Sequence, residues 1–150
     1  MRNRVRRRIA PDATVVAVLK LRGFKGPNIG NETSTLARYV QRYGLTNTLG
    51  SQRTLADQWL VLTENRILLF SKRGGGVVAR VGPLDHALDR TEVTLQWADF
   101  TEATLKKRLI HLTTTDQRMN ISKTVVNSDE ADVFVQAVAD QGREIGLQEL

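Results

Sequence analysis

The feature that most constrains the fold is a central block of short apolar segments separated by turn residues. WLVL at 59–62 and ILLF at 67–70 flank the polar segment TENR, and three glycines precede VVARV at 77–81. Short apolar runs that are bounded by turn residues are typical of strands. The block therefore predicts a meander of three strands. We expect Gly82-Pro83 to end the third strand, because proline lacks the N–H that a ladder requires.

Four more segments of the same kind lie outside this block. They are 14–22, 93–97, 105–113 and 119–123. The resulting seven strands predict a mainly β fold built on antiparallel pairing. An antiparallel sheet commonly leaves one face in water, so we interpret the polar residues Lys106, Arg108 and Asn120 as parts of a solvated face.

A change of hydrophobic period predicts a short extra helix between the first and second strands. Apolar residues recur there at i, i+3, i+4 and i+7, which places them on one helical face. They are Leu36, Tyr39, Val40 and Tyr43. Polar residues at 31, 33 and 34 can cap the start of this helix, and Gly44 can end it.

A second amphipathic segment, at 127–142, predicts a helix near the end of the chain. Asn127 and Glu130 have the spacing of a capping box, and Gly142 can terminate the helix. The expected apolar stripe consists of Val133, Phe134, Ala137 and Val138. A helix with one such stripe must cover an apolar surface, and we expect it to close the open end of the sheet.

The length and composition fit one folded domain that needs no cross-link. A domain of 150 residues buries roughly 70% of the surface that its unfolded chain exposes. The absence of cysteine excludes a disulfide framework and a thiolate nucleophile, and it suits a reducing compartment. The apolar run at 15–19 is too short for a signal peptide or a membrane span. We therefore expect a cytoplasmic protein without a transmembrane segment.

The net charge of +6 is concentrated at the beginning of the sequence. Residues 1–8 hold five of the 22 basic residues and no acid, which leaves 17 basic and 16 acidic residues elsewhere. The five are Arg2, Arg4, Arg6, Arg7 and Arg8. Because they repel one another, we predict a flexible tail over 1–10 and a single domain over 11–150. The tail can stay solvated, or it can attract anionic lipid or nucleic acid, and charge alone leaves these alternatives open.

The segment LDHALDR holds the strongest candidate for an enzymatic site. Asp85, His86 and Asp89 combine an imidazole with two carboxylates, which are groups used in acid–base catalysis and metal binding. Their spacing matches no catalytic or metal-binding motif, and a polar loop or a single helical turn after Gly-Pro explains them without a function. The other histidine, His111, is predicted to be half-buried in a strand. We therefore expect no catalytic residue, cofactor or metal.

The order of the elements and three sequence segments resemble the bacterial pleckstrin-homology-like (PH-like) domains and their GRAM relatives. WLVLTENRILLF at 59–70 is similar to the family's hairpin of two apolar strands around T-D/E-x-R. VVARVGPLD at 77–85 is similar to the following strand and turn, and DEADVFVQAVAD at 129–140 to the capping helix. The resemblance covers roughly residues 14–142. It implies a bent, partly open barrel of seven antiparallel strands in two near-orthogonal sheets, with the helix at one end.

The resemblance also implies where an anionic ligand would bind. Phosphoinositide-binding members carry basic residues on the first strand and around the following loop, and Lys20, Arg22 and Lys25 match those positions. The basic pair on the second strand of these members has no counterpart in DQWL at 57–60. With Arg53 added, these residues form the predicted anion-binding and lipid-binding site.

Taken together, these observations predict a non-enzymatic binding or adaptor module that recognises an anionic membrane surface or an acidic protein partner. It would be cytoplasmic and could lie at the inner membrane face. Two alternatives stay open: a protein that binds nucleic acid through its tail, and a small enzyme or metal site at 85–89. Stacked bases are disfavoured because aromatic residues make up 5% of the chain. The core accounts for half of them, namely Tyr39, Tyr43, Trp59 and Trp97.

Overall fold

A computed structural model of the chain describes residues 14–23, 57–73, 80–102, 104–116, 118–139 and 142–144. Two predicted features, the helix at about 33–43 and the glycine reversal at 74–76, lie outside these residues. The arginine tail, Lys25 and Arg53 lie outside them as well.

The first sheet contains four antiparallel strands in sequential order. They are β1 (Val15–Leu21), β2 (Gln58–Thr63), β3 (Arg66–Arg73) and β4 (Arg80–Asp89). Within the described residues, the predicted meander and the first strand are therefore confirmed.

The hairpin between β2 and β3 is a tight turn, as the segment TENR predicted. The Thr63 hydroxyl accepts a hydrogen bond from the Arg66 N–H at 3.0 Å, which closes the turn with a side chain. The backbone N–H of Arg90 donates to the Asn65 carbonyl at 3.0 Å. The Arg90 guanidinium also donates to the Thr63 and Glu64 carbonyls, both at 3.1 Å. The carbonyl groups of this turn are thus bonded to the chain segment that follows β4.

The strand β4 corrects the prediction for Gly82-Pro83 and for the segment behind it. The strand continues through Pro83 to Asp89, where a loop or a helical turn was expected. β4 lies at the edge of its sheet, a position that tolerates the missing N–H of proline. The pairing with β3 also shifts register on both sides of Phe70. A Cβ atom at Gly82 would lie 2.8 Å from the Ser71 carbonyl oxygen, so glycine allows the two backbones to approach closely here.

The second sheet contains three antiparallel strands and one short parallel strand, in the order β7-β6-β5-β8. They are β5 (Val93–Glu102), β6 (Leu105–Thr114), β7 (Asn120–Val126) and β8 (Gly142–Glu144). A 3-10 turn at Arg90–Glu92 connects the two sheets, and the Asp89 carboxylate caps it by accepting from the Thr91 N–H. β8 was not predicted: Gly142, expected to terminate the helix, begins this strand instead.

The C-terminal helix, α1 (Asp129–Val138), is confirmed, but its cap and its apolar stripe differ from the prediction. Ser128, not Asn127, is the N-cap, and its hydroxyl accepts from the Ala131 N–H at 3.3 Å. The Glu130 carboxylate accepts a hydrogen bond from the Val18 backbone of β1 instead of closing a capping box.

The buried stripe of α1 runs through Ala131, Phe134 and Val138, with spacings of three and four residues. Val133, which was predicted to be buried, is 39% exposed. Phe134 packs in a core that draws residues from both sheets, such as Leu60 of β2 and Leu112 of β6. The prediction that the helix covers the sheet core is therefore confirmed, and so is the burial of Phe134 and Val138, whereas Ala131 is buried in place of Val133.

The two sheets meet at one edge through a single isolated bridge in the described part of the chain. Arg22 and Thr124 exchange two backbone hydrogen bonds, at 2.7 and 2.9 Å. The described strands thus form two sheets around a shared core and do not close into a continuous barrel.

The first sheet is buried on both faces, which fits the continuous apolar runs at 59–62 and 67–70. One face belongs to the core shared with α1, and a second apolar cluster lies on the other face. This second cluster consists of Val15, Val18, Trp59, Val61, Leu68, Phe70 and Val81. The core assignment of Trp59 is confirmed, whereas Trp97 is only half-buried.

Candidate functional site

The directions of the strands bring basic residues to one edge of the first sheet. β1 and β3 are both antiparallel to β2, so they run in the same direction and end at the same edge. Lys20 lies near the end of β1 and Arg22 directly follows that strand, while Lys72 and Arg73 are the last residues of β3. We call these four residues the basic rim. The first two were predicted site residues, and the structure adds the other two.

Lys20 is a half-buried member of the basic rim. Its ammonium group is 5.9 Å from the centroid of the Trp59 ring, within the range of a cation–π contact. Partial burial lowers the pKa of Lys20, and the nearby charges of Lys72 and Arg22 lower it further, while Asp57 opposes them. Lys20, Lys72 and Arg22 are therefore close enough to repel one another, which favours the binding of an anion between them.

Asp57 partly balances the basic rim. One of its oxygens accepts from the Gly23 backbone at 3.2 Å, and the other lies 3.5 Å from the Lys72 ammonium group. The Asp57 side chain is 35% exposed, so this ion pair is screened by solvent and contributes little to stability. We interpret Asp57 as a residue that orients the end of β1 and the Lys72 side chain.

A cavity of about 480 Å³ opens next to the rim, between the start of β2, the end of β3 and the middle of β4. It is lined by Asp57, Gln58, Ser71, Lys72, Arg73, Pro83, Leu84 and Asp85. Gln58 is 4% exposed, and its amide nitrogen donates to the Asp85 carboxylate at 2.9 Å. The cavity therefore presents cations and hydrogen-bond acceptors to the same enclosed volume.

Lys123 lies behind this cavity, on the inner face of β7, and is 1% exposed. Burial lowers the pKa of its ammonium group to about 8, although the negative charges of Asp57 and Asp85 counteract this effect. The same two carboxylates thus influence both the cavity and the buried lysine. Sequence analysis did not single out Lys123, because the strand was predicted to end at this residue.

A smaller cleft of about 220 Å³ lies between β1 and β7, beside the start of α1. Its lining includes Lys20 and Arg22 together with Val18, Val126 and Ser128. Val126 is 43% exposed. The two cations of β1 therefore border an exposed apolar side chain.

Two polar groups of the second sheet have structural roles that sequence analysis did not predict. Arg108 was expected on a solvated face but is 7% exposed, and it donates to Asp99 at 2.6 Å and to the Ala131 carbonyl at 3.0 Å. His111, expected to be half-buried, is 4% exposed and lies 2.6 Å from the Ser122 hydroxyl. Burial lowers the pKa of His111 to about 4, so its ring is neutral at pH 7.

The three residues considered as a candidate enzymatic site, Asp85, His86 and Asp89, are spread along β4. Asp85 bonds with Gln58, and His86 faces Leu69 in the strand pairing. Asp89 accepts from the Thr91 backbone, a bond that lowers the pKa of the carboxyl group. No group of three or more histidine, aspartate or glutamate residues that could hold a metal ion occurs in the described ranges.

In the described part of the chain, no helix is both long and apolar enough to cross a membrane. Comparison with protein-family models and with curated proteins finds no match for this chain.

Proposed function

We propose that this chain is a non-enzymatic binding module whose basic rim docks on an anionic membrane surface. The observation that supports this most strongly is the convergence of four cations, from two different strands, on one edge of the first sheet. The two carboxylates at this edge, Asp57 and Asp85, balance only part of that charge. Each basic residue near an anionic bilayer contributes about 1 kcal/mol to binding.

The small cleft beside the rim supports a membrane over an acidic protein as the partner. Val126 is exposed next to Lys20 and Arg22, so a bilayer could meet both the charges and an apolar side chain. The arginine tail and the predicted site residues Lys25 and Arg53 would add to the same electrostatic attraction.

We propose further that the domain is PH-like. Support comes from the order of its elements, which is a meander, a second antiparallel sheet and then a C-terminal helix on the shared core. The resemblance to PH-like and GRAM domains implies this order. In that family the end of the first strand is a common place for anionic ligands, and here it carries Lys20 and Arg22.

Sedimentation with lipid vesicles tests the proposed function. The protein is mixed with vesicles of phosphatidylcholine alone, or with vesicles that also contain about 30% phosphatidylserine, which gives them a strong negative surface potential. Binding is measured at low and at physiological ionic strength, for the full chain and for a variant that lacks residues 1–8.

We expect binding to the anionic vesicles only, with a marked loss at higher salt, because surface charges are screened within about 8 Å at physiological ionic strength. The variant without the tail should bind more weakly but still bind. Absent or salt-independent binding to the anionic vesicles would contradict the proposal. A shift of duplex DNA that is steep in salt and lost on deletion of the tail, without vesicle binding by the full chain, would favour the nucleic-acid alternative instead.

A further inference from the structure

Two exposed aliphatic side chains flank the basic rim, one on each side. Leu84 is 49% exposed and lines the larger cavity together with the two cations of β3. Val126 is 43% exposed and lines the smaller cleft together with the other two cations. In the described ranges, the exposed large apolar side chains are Leu84, Leu105, Val126 and Val133. Half of this set therefore borders the rim.

The strand register places Leu84 at one end of a row of residues that crosses the first sheet. Leu84 pairs with Phe70, and Phe70 pairs with Trp59. Trp59 pairs in turn with Lys20, so the row runs from β4 to β1. Residues that pair across neighbouring strands carry their side chains on the same face. Because Phe70 and Trp59 are buried, this row presents apolar surface to solvent at its Leu84 end.

Val126 lies beyond the other end of this row, across the edge where the two sheets meet. The bridge between Arg22 and Thr124 is antiparallel. Lys20 comes two residues before Arg22, and Val126 comes two residues after Thr124, so Lys20 and Val126 lie opposite each other and line the same cleft. Neighbouring strands are about 4.8 Å apart, which separates Leu84 on β4 from Val126 on β7 by roughly 20 Å.

The cations of the rim lie between these two aliphatic side chains. Lys72 and Arg73 belong to β3, next to the strand of Leu84, and Lys20 and Arg22 lie next to the strand of Val126. An anionic bilayer matches this arrangement, because its headgroups attract the cations and its acyl chains accept the apolar groups. A nucleic acid would satisfy the cations but offers no apolar phase for the aliphatic side chains.

We infer that Leu84 and Val126 insert below the headgroups of an anionic bilayer, on either side of the basic rim. The inference rests on the proposed function, because the cations between the two side chains provide the attraction to the surface. It deepens that function by adding an apolar contribution, which salt does not screen.

A matched pair of double variants tests this contribution. Leu84→Ala with Val126→Ala removes the two side chains beside the rim. Leu105→Ala with Val133→Ala removes a leucine and a valine that are 52% and 39% exposed and that line neither the cavity nor the cleft. Neither pair changes the charge of the chain. Sedimentation with vesicles that contain phosphatidylserine is measured at physiological ionic strength and at about 1 M salt, where charges are screened within about 3 Å.

We expect the pair beside the rim to bind at least about tenfold more weakly than the wild type at both ionic strengths. A tenfold loss corresponds to about two methylene groups that no longer leave water. The pair at 105 and 133 should bind like the wild type. Both pairs should keep the wild-type salt dependence, because they retain every cation of the rim.

Insertion is also measured directly in the unmodified full chain. Methyl signals are followed by NMR on nanodiscs of phosphatidylcholine and phosphatidylserine that contain a lipid with a nitroxide near the top of its acyl chain. The methyl signals of Leu84 and Val126 should broaden, whereas those of Leu105 and Val133 should remain sharp.

Equal weakening by the two pairs, or methyl signals of Leu84 and Val126 that stay sharp on the bound protein, would overturn the inference. Because the NMR measurement needs no variant, it decides the matter even if a double variant fails to fold. Salt-dependent vesicle binding with either of these results would leave the proposed function intact. Absence of vesicle binding by the wild type would remove both.

Discussion

Lys123 lies among apolar residues on the inner face of β7. Ile121 and Val125 lie on the same face, and Ile110 is its partner on β6. The alternation of NISKTVV would have predicted this position, because residues two apart on a strand share a face. The local pattern could not predict that Asp57 and Asp85, from the other sheet, lie near Lys123, because this proximity depends on how the two sheets pack.

The lowered pKa of Lys123 predicts that the protein becomes more stable as the pH rises into the alkaline range. Its pKa in the folded protein, about 8, is lower than the usual value of 10.5. The unfolded chain therefore binds more protons between pH 8 and pH 10.5, and the free energy of unfolding rises with pH across that window. The contribution of Lys123 to this rise is on the order of 3 kcal/mol. Urea unfolding of the wild type and of Lys123→Met at several pH values from 7 to 11 measures it.

We expect Lys123→Met to be more stable than the wild type below pH 8, and the difference to shrink as the pH approaches 10.5. Lys106→Met, at an exposed position of β6, is the matched control and should leave the wild-type pH dependence unchanged. Parallel curves for the wild type and Lys123→Met would contradict this account.

At the scale of elements, the strands were predictable where turn residues or alternation marked them. The β2–β3 hairpin follows directly from TENR, since Thr63 closes the turn through its side chain. β4 was predicted to stop at Pro83 because the local rule for proline depends on whether a strand is at the edge of its sheet. That is a property of the assembled sheet, and it is not encoded near Pro83.

The start of α1 shows the same limit. Asn127 and Glu130 have the spacing of a capping box, yet Ser128 caps the helix and Glu130 bonds with Val18 of β1. A contact between residues 112 positions apart thus replaces a local one. The basic rim has a similar origin, since Lys72 and Arg73 join Lys20 only when β1 and β3 flank β2.

Arg108 links α1 to the second sheet, and its loss should weaken that contact. Its guanidinium group bonds with Asp99 of β5 and with the Ala131 carbonyl and the Asp132 carboxylate of α1. Hydrogen bonds to charged groups contribute about 1.5–3 kcal/mol, so Arg108→Gln should lower the free energy of unfolding by about 2 kcal/mol. Urea unfolding measures this loss, and faster amide exchange across Asp129–Val138 would locate it in α1.

Arg118→Gln provides the control for this prediction. The Arg118 side chain is 89% exposed and lies 3.8 Å from Asp116, a surface ion pair. Its replacement should change stability by less than about 0.5 kcal/mol. Equal effects of the two substitutions would show that the contacts of Arg108 with α1 do not stabilise the fold.

At the scale of the whole molecule, positive charge is concentrated in the first part of the sequence. The chain up to residue 53 holds 11 basic and two acidic residues, and the remainder is net acidic. Within the described residues, the basic rim joins Lys20 and Arg22 from that first part with Lys72 and Arg73 from the remainder, next to a cavity and an exposed valine. Net charge alone could attract the chain to any polyanion, so the central question is whether the position of these cations matters.

An equal-charge comparison of vesicle binding answers that question most directly. Lys20→Gln with Lys72→Gln removes two cations from the rim, and Lys106→Gln with Arg118→Gln removes two exposed cations elsewhere. At about 1 kcal/mol for each residue, the rim pair should weaken binding to phosphatidylserine vesicles roughly 30-fold, while the control pair should stay close to the wild type. Equal weakening by both pairs would contradict a localised binding site on the basic rim.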